Sequence, residues 1–294
     1  MSKIKIIYDT YAPWEKDYIK ELFFKLQCET IYVVPEVLQN KLDDEEKLIN
    51  NNILVFSSNI YTFDKILNIV LRIKPIIIVH LSDEGGNKPE YTNLASYTKL
   101  LLHQYHFKHY PYDNYNNIIQ IPLGYMVNMF GNKESLTTKV KPLSERKYKW
   151  SFVGNMKKDR YELVDTFSKR INEKFVGNNI KPPDMFDIYN DSIFVPNGRG
   201  NVTIDCFRIY EAILCGSIPV IVCEESEFND AFHYNSDIPP FILAKTWDDA
   251  VNKCEYLLNN TLELENVQKT NYEWLQRKIE SIRTNIYSIL GDNI

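Results

Sequence analysis

The 294-residue sequence contains no apolar run near the ~20 residues that a membrane-spanning helix requires. It has no excess of positive charge either. Its 34 Lys and Arg against 39 Asp and Glu give a formal charge of −5. That balance does not point to nucleic acid or an anionic membrane surface, so a phosphate-bearing ligand must be met by a local cationic pocket. The five cysteines, Cys28, Cys206, Cys215, Cys223 and Cys254, are odd in number and never spaced Cys-x-x-Cys. Zinc and redox motifs are therefore unsupported. Cys206, Cys215 and Cys223 sit among apolar residues and are expected to be buried. A strand at Ile4–Tyr8 leaves little room before it for a signal peptide, and the expectation is a soluble, cytoplasmic protein. Internal repeats and low-complexity segments are absent. The Asn-x-Ser/Thr triplets at Asn190, Asn201 and Asn259 are no more than an Asn-rich chain produces by chance.

What is present is an α/β alternation. With 44% hydrophobic residues, the chain has material for two cores. Strands are expected near Ile4–Tyr8, Ile31–Val34, Ile53–Phe56, Pro75–Leu81, Lys99–Leu102 and Ile118–Ile121. A second set is expected near Trp150–Val153, Lys174–Val176, Ser192–Val195, Ile218–Cys223 and Pro240–Leu243. Unbroken runs such as Ile76-Ile77-Ile78-Val79 suit parallel strands buried on both faces. Trp14–Leu26 and Phe63–Ile73 have helical spacing between them. The reading is two Rossmann-like domains facing a cleft: 1–140, then 141–262, joined by a polar, basic linker around Gly131–Tyr148. A final helix over 263–294 carries Leu275, Ile279, Ile282 and Ile286 on one stripe and is expected to pack back across the junction.

The most informative stretch runs from Phe194 to Val220. A strand leads into the loop Gly198-Arg199-Gly200-Asn201-Val202-Thr203, then a helix bearing Arg208 and Glu211, then a Gly216-x-x-Pro219 turn into another strand. Such a loop offers backbone N–H groups to an anion. Asn201 and Thr203 add side-chain donors and a helix cap, with Asp205 as another cap candidate. Arg208 and Glu211, three apart, share a helix face. A cation for phosphate and a carboxylate for ribose hydroxyls make this a nucleotide-sugar site.

Arg208-x-x-Glu211-Ala212-Ile213-x-x-Gly216-x-Ile218-Pro219-Val220 resembles the donor signature of exostosin-like glycosyltransferases. Trp150-Ser151-Phe152-Val153-Gly154-Asn155 with Arg160 resembles the opening of their donor domain. Leu81-Ser82-Asp83-Glu84 and Ile121-Pro122-Leu123-Gly124-Tyr125 resemble the branch containing ribitol and algal-virus xylosyltransferases. The similarity covers about residues 75–250. It implies a glycosyltransferase-B fold and an inverting transfer from a UDP-sugar, first of all UDP-xylose, to a hydroxyl of a glycan or glycoprotein. It also implies that Glu211 holds the ribose and that Gly154, Asn155, Arg160, Gly198, Arg199, Gly200, Asn201, Thr203 and Arg208 surround the donor. No cofactor beyond the donor is implied. The family often has arginine about where His103 stands.

No Asp-x-Asp triplet of the glycosyltransferase-A kind occurs. Asp43-Asp44 and Asp248-Asp249 read as solvated surface, so metal independence is expected, with no metal ligands. Ser82-Asp83-Glu84-Gly85-Gly86 follows a buried strand, at the edge where open α/β sheets bind ligands. Asp83 is the first choice as catalytic base, Glu84 the second and Asp9 the outside candidate. His80 and the triplet-spaced His103, His106 and His109 suggest a metal, but no carboxylate in the sequence pattern completes a set. Alternatives are a fucosyltransferase-like enzyme using a GDP-sugar and a non-catalytic nucleotide-sugar-binding protein.

Overall fold

The computed structural model describes residues 4–10, 14–24, 26, 28–40, 42, 45–50, 52–131, 133–233 and 237–291. Asp43-Asp44 and the loop residues Tyr11-Ala12-Pro13 lie outside them. The chain forms two compact units. One comprises Met1–Pro122 with His233–Ser236 and Ile279–Ile294, the other Leu123–Phe232 with Asp237–Lys278.

The first unit holds strands β1 (Lys5–Asp9), β2 (Glu29–Val33), β3 (Asn52–Ser57), β4 (Ile77–Leu81), β5 (Leu100–Gln104) and β6 (Ile118–Ile121). They form a wholly parallel sheet in the order β2-β1-β3-β4-β5-β6. Every residue of β3, β4 and β5 is buried, which is why these strands read as unbroken apolar runs. The connecting helices are α1 (Lys16–Leu22), α2 (Pro35–Gln39) and α3 (Phe63–Ile73). Helix α1 stops four residues short of the expected Leu26. In α3, Ile66, Ile69, Val70 and Ile73 are all buried, the i, i+3, i+4, i+7 stripe of a helix lying on a sheet. They join Ile7, Leu54, Phe56, Ile78, Leu94 and Leu101 in one core.

The second unit repeats the plan. Its strands are β7 (Tyr148–Val153), β8 (Lys174–Gly177), β9 (Ser192–Asn197), β10 (Ile218–Val222) and β11 (Ile242–Ala244). They run parallel in the order β11-β10-β9-β7-β8. Helices α4 (Arg160–Arg170), α5 (Pro182–Asn190), α6 (Phe207–Leu214), α7 (Glu225–Ala231) and α8 (Trp247–Leu258) connect and flank them. The core includes Trp150, Phe152, Phe167, Phe194, Val220 and Trp247. Helix α9 (Thr261–Leu290) gives residues 261–278 to this unit and the remainder to the first. Its expected stripe, Leu275, Ile279, Ile282 and Ile286, is buried throughout. No helix among the described residues is long and apolar enough to cross a membrane.

Arg146 departs from the expectation of a solvated linker. It is buried and donates to the carbonyls of Lys141, Tyr189, Ser192 and Cys215 and to Ser217 Oγ. With only carbonyls and a hydroxyl as acceptors, its guanidinium is pushed down to about 10 by burial. The basic stretch is thus sewn into the second unit.

Candidate functional site

In the second sheet the chain order reverses between β7 and β9, which are hydrogen-bonded neighbours joined to β8 and β10 on opposite sides. Ligands of open α/β sheets bind beyond the carboxyl ends of strands at such a switch point. The loops that leave these two strands are those carrying Gly154–Arg160 and Gly198–Thr203.

Arg160, at the start of α4, is buried and ties the loops together. Its Nη1 donates to the Asn155 carbonyl at 2.9 Å, while Nε and Nη2 donate to the Arg199 carbonyl at 3.1 and 2.6 Å. Asp159 accepts from the Arg199 N–H at 3.1 Å. The Lys157 ammonium donates to Asn201 Oδ1 and the Lys158 ammonium to the Asn201 carbonyl. Close approach makes the glycines necessary. A Cβ on Gly198 would stand 2.5 Å from Arg160 Cγ, and one on Gly154 would stand 2.9 Å from Arg208 Nη2.

Helix α6 buries every residue from Arg208 to Leu214, two charged side chains included. Buried charge of this kind needs a partner or a purpose. Arg208 lies over the Phe152 ring, 5.0 Å from its centroid. It donates to the Val153 carbonyl at 3.1 Å, Asn197 Oδ1 at 2.8 Å and the Gly198 carbonyl at 3.3 Å. No carboxylate among the described residues forms a salt bridge with it. Glu211, one turn on, accepts instead from the Met126 backbone N–H at 3.1 Å. Burial raises the Glu211 carboxyl to about 7, against the lowering influence of that N–H and of Arg208. The pair is a buried cation and a buried acid, neither neutralised by direct contact with the other.

The helix-cap expectation needs correction. Thr203, Asn201 and Asp205 do not cap α6, because the helix begins only at Phe207 with Cys206 in the capping position and no side-chain cap bond. Thr203 Oγ1 accepts from the Asp205 N–H, and Asp205 accepts from the Tyr210 hydroxyl at 2.9 Å. Gly200 N–H donates to the Thr203 carbonyl, closing the loop on itself. The Arg199 guanidinium makes a bidentate pair with Glu227 at 2.5 Å. Only its backbone joins the network around Arg160.

The first unit gathers acids at the carboxyl ends of its strands. Asp83 lies just past β4, after Ser82 at φ +65°, and is buried. The Tyr110 hydroxyl donates to its Oδ2 at 2.6 Å, and His103 Nε2 lies 3.9 Å from the same oxygen. Burial raises the Asp83 carboxyl to about 6, opposed by the Tyr110 hydrogen bond and the Lys88 charge. Glu84 is half-buried, and Asp9 is fully buried at the end of β1. Glu15 was not anticipated. It is buried just before α1, and burial raises its carboxyl to about 7, partly offset by its own backbone N–H and Gln104. Gln104 also accepts from the Ser82 N–H at 3.0 Å, which links the end of β5 to the loop carrying Asp83. An acid immediately after an apolar Trp14, before the first amphipathic helix, is the one signal that the sequence offered.

Two parallel-sheet α/β units of this kind make the glycosyltransferase-B fold. The chain is similar to an alpha-glucosyltransferase solved in complex with UDP-glucose and DNA containing an abasic site, at 13% identity, over 98% of this chain and 99% of that one, with a TM-score of 0.60. It is similar to a putative UDP-N-acetylglucosamine 2-epimerase from Listeria monocytogenes, at 10% identity over 100% and 98% of the chains, with a TM-score of 0.56. It also resembles T4 phage BGT in complex with its UDP-glucose substrate, at 10% identity over 98% and 99%, with a TM-score of 0.51; that protein has been solved with UDP and Mn2+ as well. No family model matches the sequence, and no curated protein matches it.

Proposed function

We propose that the protein is a glycosyltransferase that takes its sugar from a UDP-linked donor, held at the switch point of the second sheet. The observation that carries this reading is Arg208. It is a buried guanidinium whose acceptors among the described residues are all neutral, packed against Gly154 and one turn from a buried carboxyl suited to ribose hydroxyls. Structures of the same fold solved with UDP or UDP-glucose support a uridine over a guanosine nucleotide. Xylose is the first donor sugar to test, with glucose beside it.

Asp83 is proposed as the general base that takes the proton of the acceptor hydroxyl, with inversion at the sugar carbon. In this scheme the acceptor oxygen forms a bond to the anomeric carbon, the bond to the diphosphate breaks, and UDP departs with its charge met by Arg208 and the loop N–H groups. A glycan hydroxyl is the leading acceptor, in keeping with the −5 charge of the chain. A hydroxyl on DNA is the second reading, favoured by fold relatives solved with DNA.

The test is a transfer assay with UDP-xylose and UDP-glucose against oligosaccharides and hydroxymethylated duplex DNA, in EDTA and in Mn2+. Acceptor-dependent UDP release is expected, and Asp83→Asn should cut it by roughly 10²–10⁴-fold. Unchanged transfer in both Asp83→Asn and Glu84→Gln would remove the base assignment. Donor binding without turnover on any acceptor would favour a binding protein instead.

A further inference from the structure

His80 and His103 are register partners on the adjacent strands β4 and β5, so their side chains emerge on the same face of the sheet. Their rings meet edge to face with centroids 4.6 Å apart. Asp83 follows His80 by three residues, where the chain leaves the strand. All three side chains are buried, and one ligand atom from each lies within 4.8 Å of the other two. Among the described residues no other group of three His, Cys, Asp or Glu side chains meets that condition.

The hydrogen bonding around these groups is unbalanced. His103 Nδ1 lies 3.2 Å from the Tyr105 carbonyl, an acceptor, so Nδ1 carries the proton and Nε2 presents a lone pair. That lone pair faces Asp83 Oδ2, itself an acceptor already receiving the Tyr110 hydroxyl. Among the described residues, neither His103 Nε2 nor either nitrogen of His80 has a hydrogen-bond partner. His80 also packs in a three-ring cluster with Phe56 and Tyr91, at centroid distances of 4.9 and 4.8 Å. Buried acceptors directed at one another repel unless a proton or a metal cation lies between them.

We infer that His80, Asp83 and His103 bind one divalent transition-metal ion of the zinc class. Two imidazoles and a carboxylate are a suitable donor set, with a fourth position left for water or a hydroxyl. The supporting shell is in place: the Tyr105 carbonyl fixes the His103 tautomer, and the Tyr110 hydroxyl orients the carboxylate. Tetrahedral zinc places its ligand atoms about 3.3 Å apart, so the site closes by small side-chain rotations. The sequence pattern did not reveal the set because it lacked the β4–β5 register that pairs His103 with His80, three residues before Asp83. A bound ion uses the oxygen that a base would use, so the metal-free form is the one in which Asp83 serves as a base.

The test is titration of EDTA-treated, desalted protein with Co2+, followed by visible absorption, and with Zn2+, followed by calorimetry. The inference stands apart from the proposed transfer, because metal binding is read without donor or acceptor. One equivalent with tetrahedral Co2+ absorption is expected. Affinity should fall about tenfold or more in His103→Ala and in Asp83→Asn, which preserves side-chain volume. His106 and His233, stacked with centroids 4.5 Å apart, supply the control. Binding that survives Asp83→Asn and His103→Ala, or that disappears in His106→Ala, overturns the inference, as does the absence of stoichiometric binding.

Discussion

The carboxylate of Glu211 accepts a hydrogen bond from the backbone N–H of Met126 at 3.1 Å, across 85 positions of sequence. Met126 directly follows Leu123-Gly124-Tyr125, where Gly124 adopts φ +78° and turns the chain. A helix residue read as a ribose ligand is therefore oriented by a segment that the sequence marked for a different reason. One oxygen of the carboxylate is engaged by this bond. Truncation at Glu211 removes both the proposed ligand and the acceptor of the Met126 N–H.

If Glu211 holds the ribose as proposed, nucleotide affinity depends on pH. The Glu211 carboxyl titrates at about 7, so the ionised acceptor is lost as pH falls through that value. UDP affinity should weaken by several-fold between pH 8 and pH 6 and level off above about pH 8. Calorimetry across that range tests this, and Glu211→Gln should flatten the profile.

Gly198 is closed to any side chain. With a Cβ 2.5 Å from Arg160 Cγ, Gly198→Ala must displace the guanidinium that ties Asn155 to Arg199. UDP binding should weaken at least about tenfold, the equivalent of ~1.4 kcal/mol. Gly154→Ala places a Cβ 2.9 Å from Arg208 Nη2 on a backbone at φ +156°, a conformation that side chains rarely adopt, and should weaken UDP binding as well.

Arg146 governs stability rather than ligand binding. Arg146→Ala removes a donor from the buried carbonyls of Tyr189, Ser192 and Cys215, of which the first two keep the Ser217 hydroxyl within reach, and it opens a cavity where the guanidinium stood. At about 1–3 kcal/mol for each unsatisfied group, a loss of ~3 kcal/mol or more is expected. Thermal denaturation should show a fall of roughly 6–12 °C. Arg146→Lys should rescue little, since one ammonium cannot span acceptors arranged for a guanidinium fork.

Glu15 costs stability at neutral pH. Burial raises its carboxyl from 4.5 to about 7, so the folded state holds a proton that the unfolded state releases. Stability therefore declines as pH rises from about 4.5 to 7, and the full penalty stands above that range. Glu15→Gln should raise the melting temperature by a few degrees at pH 8, and the gain should vanish toward pH 4.5. A melting temperature lowered at pH 8 would contradict this.

All eleven expected strands exist, within a few residues of their expected limits. They were legible because parallel strands buried on both faces need continuous apolar, β-branched runs, and β3, β4 and β5 are of that kind. The switch-point loops were legible too, since Gly154, Gly198 and Arg208 each belong to a short local pattern. What escaped was set by register and long-range contact. Met126 reaches Glu211, Gln104 reaches Ser82, and Arg146 reaches three segments from what looked like a linker. The cap assignments at Asn201, Thr203 and Asp205 failed for a local reason: the loop closes through Gly200 and Thr203 before the helix starts.

The most direct measurement is calorimetric titration of UDP and GDP into wild-type protein and Glu211→Ala, in EDTA and in Mn2+. The account predicts that UDP binds, that GDP binds more weakly, and that Glu211→Ala loses about ten- to a hundredfold in UDP affinity, or ~1.5–3 kcal/mol. A wild type that ignores UDP in both conditions, or a Glu211→Ala that binds it undiminished, would contradict the assignment of the second unit as a UDP-sugar site.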